Sequence, residues 1–528
     1  MAARIDASTL KAWLSDAGEL ALIDVREQGQ HGQGHPFLAV PLPYSRLELG
    51  LAALAPNPAV RLALCDGGDG IAERAAARAE ALGYTNVSVL AGGVEAWREA
   101  GYTLYAGVNV PSKAFGELVE HARRTPHVTA AELKAMQDGG ENVAVIDGRT
   151  FAEFQRMSIP GAISCPNGEL ALRIGQLVPD PRTRIVVNCA GRTRSIVGAQ
   201  TLIDLGLPNP VYALENGTQG GFLAGQQLDH GGSRRFDAAP AVADLGTLRA
   251  RARSLAEDRG VGFVGASEVA GWLADSQRTT YLLDVRTPEE VAAAAVPGLV
   301  HAPGGQLVQA TDQWIGTRGA RVVLVDAEEV RAPMTAQWLR QLGHEAYVLT
   351  GGLAAAAPLA GMRTLATGGG RPPTTMAPAE LAAGLAEGRV RLLDLRPSMS
   401  YRTEHIDGAI WSIRPRLAAA VADRGQTVVV VADEPAVAAL ATIDLAEAGV
   451  GEVRLLAGGH AAARAAGLPM AITADTPNDA DCIDFLFFTH DRHSGNAEAA
   501  RQYLAWELGL VAQLDAQERN VFSLSGAA

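Results

Sequence analysis

The same three phrases recur in the same order four times along this chain, and that repetition limits its fold more than any other feature. The first phrase is LIDVR from Leu22, VIDGR from Val145, LLDVR from Leu282 and LLDLR from Leu392. The second is RLALCD from Arg61, RIVVNC from Arg184, RVVLVD from Arg321 and TVVVVAD from Thr427. The third is VSVLAGG from Val87, VYALENG from Val211, AYVLTGG from Ala346 and VRLLAGG from Val453. Each phrase is short, β-branched and nearly all apolar, which suits a strand buried on both faces of a parallel sheet. Helical patterns such as IAERAAARAEALG and SIVGAQTLIDLG lie between the second and third phrases and stop at Gly83 and Gly206. Strand and helix alternate, the signature of an α/β layered domain.

The spacing of the phrases is about one small domain, so the 528 residues divide into four copies and a remainder. The expected boundaries are 1–106, 107–230, 231–365, 366–474 and a C-terminal helical tail over 475–528. The third copy carries a linker helix in DLGTLRARARSLAEDRG, and a GGGRPPTT loop separates it from the fourth. In the tail, NAEAARQYLAWELGLVAQL reads as an amphipathic helix. Its apolar face, with Tyr503, Leu504, Leu508 and Val511, needs a covering surface in this chain or in a second subunit of a homo-oligomer.

A net charge of -13 argues against a nucleic-acid or anionic-membrane partner. No basic stretch followed by an apolar run opens the chain, and no run is long enough to span a bilayer. The four cysteines, Cys65, Cys165, Cys189 and Cys482, include no C-x-x-C pair, so neither a disulfide framework nor a zinc site is expected. His490 and His493 in the tail form an incomplete ligand set. These points lead to an expectation of a cytoplasmic protein without metal or cofactor.

Open α/β sheets bind ligands beyond the carboxyl ends of their strands. In the second copy that end carries Cys189, Ala190, Gly191, Arg192, Thr193, Arg194 and Ser195, with Ser195 as the expected helix N-cap. A short glycine-containing loop over a helix start turns backbone N–H groups inward and makes an anion cradle. The cradle, the helix terminus and the two guanidinium groups all favour a Cys189 thiolate. Arg192 and Arg194 are the expected binders of a substrate oxyanion. Asp147 and Arg149, at the first strand's end, are expected to form an internal salt bridge.

The other copies differ at this point. Cys65 is aligned with Cys189 and is a candidate second nucleophile, but its loop, CDGGDG, has Asp66 and Asp69 where the second copy has arginines, and like charge opposes a thiolate. The third copy places Asp326 at or beside the nucleophile position, and the fourth Ala432 or Asp433. Neither can carry sulfur. Cys165 reads as a packed thiol, and Glu169 with Arg173 as an i,i+4 ion pair on a helix surface.

Taken together, the D-x-R strand, the IPGA turn at Ile159–Ala162 with its counterpart IDGA at Ile406–Ala409, the strand ending in Cys and the later L-x-G-G make the chain resemble the rhodanese family of sulfurtransferases, as four tandem domains. The resemblance implies an α/β fold, a mainly parallel sheet flanked by helices in each domain, and a persulfide on Cys189 with Ala190–Ser195 as the active-site loop. It implies transfer of sulfane sulfur from thiosulfate or a related donor to cyanide or a thiol, by double displacement. At Ala190 the chain departs from the many thiosulfate-using members that have a basic residue there. Two other activities are compatible with such a loop: a carrier handing persulfide sulfur to a protein partner, and a cysteine-dependent phosphatase. The family's phosphatases place five residues between Cys and Arg, whereas four separate Cys189 from Arg194.

Overall fold

The computed structural model describes residues 2–237, 244–362, 368, 370–421, 425–487 and 496–524. Each repeat builds one five-stranded sheet of the same order. In the second repeat the central strand Arg184–Asn188 lies between Val143–Asp147 and Val211–Leu214, and the short strands Ile163–Ser164 and His127–Val128 form the edges. All four pairings are parallel. The valine-rich central strands are buried on both faces, which accounts for their unbroken apolar runs. The helices Ile71–Ala81, Thr193–Asp204 and Arg331–Gln341 end before Gly83, Gly206 and Gly343, whose φ angles of 95°, 76° and 91° suit glycine at a helix stop.

The D-x-R phrase is a repeated internal staple. Arg149 donates through Nε and Nη2 to Asp147, at 2.9 and 2.7 Å, and its Nη2 also reaches the Met157 carbonyl. The pairs Arg26–Asp24, Arg286–Asp284 and Arg396–Asp394 repeat this, anchored on the carbonyls of Gly34, Ala294 and Glu404. The fork ties the strand end to the loop after it, so the pair is structural in every copy.

The repeats are grouped in two compact units, one made of Met1–Leu14, Ala21–Val108 and Leu365–Phe487, the other of Ser15–Leu20, Asn109–Thr364 and Phe488–Ala528. The first repeat thus shares a unit with the fourth, and the second with the third. Within the former unit, buried Arg414 donates to Glu48, Asp444 and the Tyr44 carbonyl, and the Tyr44 hydroxyl donates to Asp444 at 2.6 Å. Within the latter, buried Arg331 donates to Glu169 at 3.0 Å and to Glu290, and Trp338 Nε1 donates to Thr201 Oγ1 at 2.8 Å. One apolar core runs through the second and third repeats. At its edge a Cβ on Gly168 would stand 2.7 Å from Gly305 N, so only glycine permits this approach of the two repeats.

The expected tail over 475–528 divides. Cys482–Phe485 stays with the unit of the first and fourth repeats, where Gly29 N donates to Ile483 O at 2.8 Å. The helix Ala497–Gln513 belongs to the other unit. His490 and His493 lie outside the described residues. Among the described residues, no helix is long and apolar enough to cross a membrane.

Candidate active site

The strand Arg184–Asn188 delivers Cys189 to its carboxyl end, and the helix Thr193–Asp204 leaves from the loop. The helix starts three residues earlier than an N-cap at Ser195 implies. Arg192 is the N-cap, and Ser195 Oγ is buried with no hydrogen-bond partner among the described residues. The loop hangs from the next helix, Gly217–Leu223: Thr218 N donates to Cys189 O at 2.8 Å and Gln219 N to Ala190 O at 3.1 Å. A Cβ on Gly217 would lie 2.2 Å from Cys189 O. Gly93 and Gly352 press on Asp66 O and Asp326 O in the same way, which is the physical reason for the last glycine of the L-x-G-G phrase.

These contacts fix the register and correct the alignment of Cys65. Val25 N donates to Cys65 O just as Gly148 N donates to Asn188 O, Val285 N to Val325 O and Leu395 N to Val431 O. Cys65 is therefore the last strand residue, equivalent to Asn188. The residues at the position of Cys189 are Asp66, Asp326 and Ala432. Cys65 is fully buried, and burial, with Asp24 next, raises its pKa well above the usual thiol value. Both effects oppose a nucleophilic role for Cys65, in line with the acidic loop that already argued against one. Cys165 is likewise buried in the core, and burial raises its pKa too.

The two aspartates reveal what the loop does. Asp66 accepts from the backbone N–H of Gly68, Gly70 and Ala72 at 2.8, 3.0 and 2.9 Å. Asp326 accepts from Val330 and Arg331 at 3.2 and 3.0 Å. In the first and third repeats a carboxylate fills a ring of amides at a helix start, as expected for such an anion site. Counted from the strand end, Gly191, Thr193, Arg194 and Ser195 are the matching positions in the second repeat. By the same count the residue equivalent to the two aspartates is Cys189, which is 2% exposed.

The arginines are not arranged as expected. Arg192 forks onto Glu117 at 2.7 and 3.0 Å and also bonds Glu120. Arg194 forks onto Glu153 at 2.8 and 2.7 Å and reaches Gln306. Burial alone would raise the Glu153 pKa, but the Arg194 charge overrides it and holds the carboxyl well below its usual range. Both guanidinium forks are thus committed to protein carboxylates that position the loop, rather than open to a substrate oxyanion. Glu169 and Arg173 do pair, at 3.3 Å, but they are buried, and Glu169 also holds Arg331.

One feature of the site left no local signal in the sequence. The helix Ala497–Gln513 covers the Cys189 loop with Tyr503, Leu504 and Glu507. Tyr503 and Leu504 are buried as expected, whereas Leu508 is exposed. Glu507, fully buried, accepts from Thr193 Oγ1 at 2.8 Å and from Lys113 Nζ at 3.0 Å.

Comparison with known proteins agrees with this architecture. The rhodanese-like domain model matches four times, at residues 6–100, 129–222, 266–357 and 377–466. A crystal structure of a thiosulfate sulfurtransferase from Pseudomonas aeruginosa is similar over 99% of both chains, with 42% identity and a TM-score of 0.90. Among curated sequences, the "Putative sulfur carrier protein YrkF" of Bacillus subtilis is 26% identical over 121 residues, and the "HTH-type transcriptional regulator Rv0324" of Mycobacterium tuberculosis 35% identical over 104. Those matches cover 21% and 20% of this chain, and 62% and 45% of the relatives' own lengths. With four matches of one domain model and four sheets of one topology, the chain belongs to the rhodanese-like domain family.

Proposed function

We propose that this protein is a rhodanese-type sulfurtransferase that works through a persulfide on Cys189. The observation that carries the proposal is the amide ring. The first and third repeats close it with a fixed carboxylate, and in the second repeat the equivalent residue is a cysteine. The Cys189 thiolate attacks the outer sulfur of thiosulfate, forming an S–S bond, and sulfite departs with the electron pair of the bond that breaks. Cyanide or a thiolate then takes the outer sulfur, and Cys189 leaves as thiolate. The ring stabilises the persulfide anion between the two half-reactions. Thiosulfate is the donor named for the Pseudomonas protein. The four free thiols suit a reducing cytoplasm.

In the test, the protein is exposed to thiosulfate, desalted, and analysed by intact mass and peptide mapping. One added sulfur on Cys189, with thiocyanate release that disappears in Cys189→Ala, is the expected result. Sulfur on Cys65 instead, or activity surviving Cys189→Ala, overturns it. The similarity to a sulfur carrier supports a second reading, in which Cys189 loads but passes its sulfur to a protein thiol. Loading with negligible thiocyanate release would favour that.

A further inference from the structure

Four cations stand around the Cys189 loop, and each is held by a carboxylate: Arg149 by Asp147, Arg192 by Glu117 and Glu120, Arg194 by Glu153 and Lys113 by Glu507. These groups leave one more negative than positive charge before any substrate arrives. Glu507 is the member supplied from outside the repeat. Its Oε1 takes both hydrogen bonds, from Thr193 and Lys113. Its Oε2 is buried and without a hydrogen-bond partner among the described residues. A Cβ on Gly191 would meet this oxygen at 2.9 Å, so the unpaired oxygen rests against the loop two residues from Cys189. Gln219, whose backbone N–H holds Ala190 O, also has its side-chain amide buried and unpartnered among the described residues. Buried polar atoms are normally satisfied. Unpaired ones on two helices that meet the same loop point to a ligand that brings hydrogen-bond donors and little negative charge.

We propose that Glu507 is a specificity-determining residue of the Cys189 site, which disfavours dianionic thiosulfate and favours persulfides of thiols that carry a donor group such as an ammonium. The proposal rests on the Cys189 reading above. With such a donor, R–S–SH, the Cys189 thiolate bonds to the outer sulfur, the donor's S–S bond breaks, and the thiol leaves as RS⁻ with that bond's electron pair. The proton stays on the transferred sulfur until base removes it. The sulfane sulfur keeps its oxidation state, so no outside oxidant or reductant is required. A carboxylate on the loop repels two charges of thiosulfate and attracts an ammonium, and burial leaves that effect poorly screened by salt.

The test is steady-state kinetics on the full chain with thiosulfate and with cysteine persulfide as donors. Glu507→Gln keeps the shape and removes the charge. It should lower KM for thiosulfate by about threefold or more and not lower KM for the persulfide. Lys113→Met uncovers the Glu507 charge and should shift KM for thiosulfate upward. Opposite shifts from two variants of one ion pair are not expected of a purely structural contact. An unchanged thiosulfate KM in either variant, or shifts of the same sign, overturns the proposal. If Glu507→Gln does not fold, Lys113→Met alone decides. Peptide mapping of the same samples separates the two levels: sulfur appearing away from Cys189 defeats the parent reading, whereas sulfur on Cys189 without charge discrimination defeats only this one.

Discussion

Asp66 and Cys189 occupy the same place in their repeats, each the first residue beyond a central strand and each with its carbonyl bonded to the start of the helix after the next strand, Gly93–Glu99 or Gly217–Leu223. The two repeats differ in the side chain at that place, a carboxylate in the first and a thiol in the second. In the first repeat a carboxylate has taken the amides that a sulfur anion would use.

Cys189→Asp should therefore abolish sulfur transfer without unfolding the second repeat. An anion at a helix start contributes about 0.3–2 kcal/mol, so the variant should unfold no more easily than Cys189→Ala. Denaturant titration of the two variants checks this. A Cys189→Asp protein clearly less stable than Cys189→Ala would show that the second repeat lacks the ring its siblings have.

The converse exchange, Asp66→Cys, should create a reactive thiol beside an unreactive one. Alkylation of the native protein followed by peptide mapping should label position 66 and leave Cys65 unlabelled. Labelling of Cys65 in the wild-type protein at a rate near that of Cys189 would contradict the register derived from the strand-end hydrogen bonds.

Arg331 is buried with Glu169 and Glu290 as partners. Arg331→Met leaves the Glu169 carboxylate buried with only the weaker Arg173 contact. Removing one partner of a buried pair costs about 3–5 kcal/mol. Hydrogen exchange in the helix Arg331–Gln341 should accelerate accordingly, and the helix Ile71–Ala81 in the other unit should be unaffected.

Glu27 is buried beneath Ser45, and burial pushes its pKa from 4.5 up to about 7 against the opposing Ser45 hydrogen bonds. The folded state therefore holds a proton that the unfolded chain has released, and stability falls as pH rises from 4.5 towards 7. Glu27→Gln keeps the shape without the proton. Its advantage over the wild type should be nil near the lower end of that window and grow to about 3 kcal/mol above the upper end. Unfolding midpoints of both proteins across this range test it. A constant difference would exclude titration of Glu27 as the cause.

Much of this molecule could be read from its sequence because its signals are local. The apolar strands, the glycine stops, the D-x-R fork and the cysteine-bearing loop all lie within a few residues of each other. The register of Cys65 could not be read that way: a strand's end is fixed by its neighbours' hydrogen bonds, and the chemical similarity of two cysteines drew the alignment one residue off. The arginines failed for a related reason. A guanidinium seen in sequence looks free, but Glu117, Glu120 and Glu153 reach Arg192 and Arg194 from helices dozens of residues upstream. The docking of Glu507 on the loop depends on a partner more than three hundred residues away, beyond any periodicity or spacing argument.

The nested grouping of the repeats bears on how the chain matures. During synthesis the first repeat leaves the ribosome long before the fourth, with the whole second and third repeats translated in between. Until Arg414 and Asp444 arrive, the edge formed by Tyr44 and Glu48 stands uncovered, a carboxylate and an aromatic ring awaiting their cover. A product ending before the fourth repeat would thus leave the first without its cover, and would also lack the helix Ala497–Gln513 that lies over the Cys189 loop.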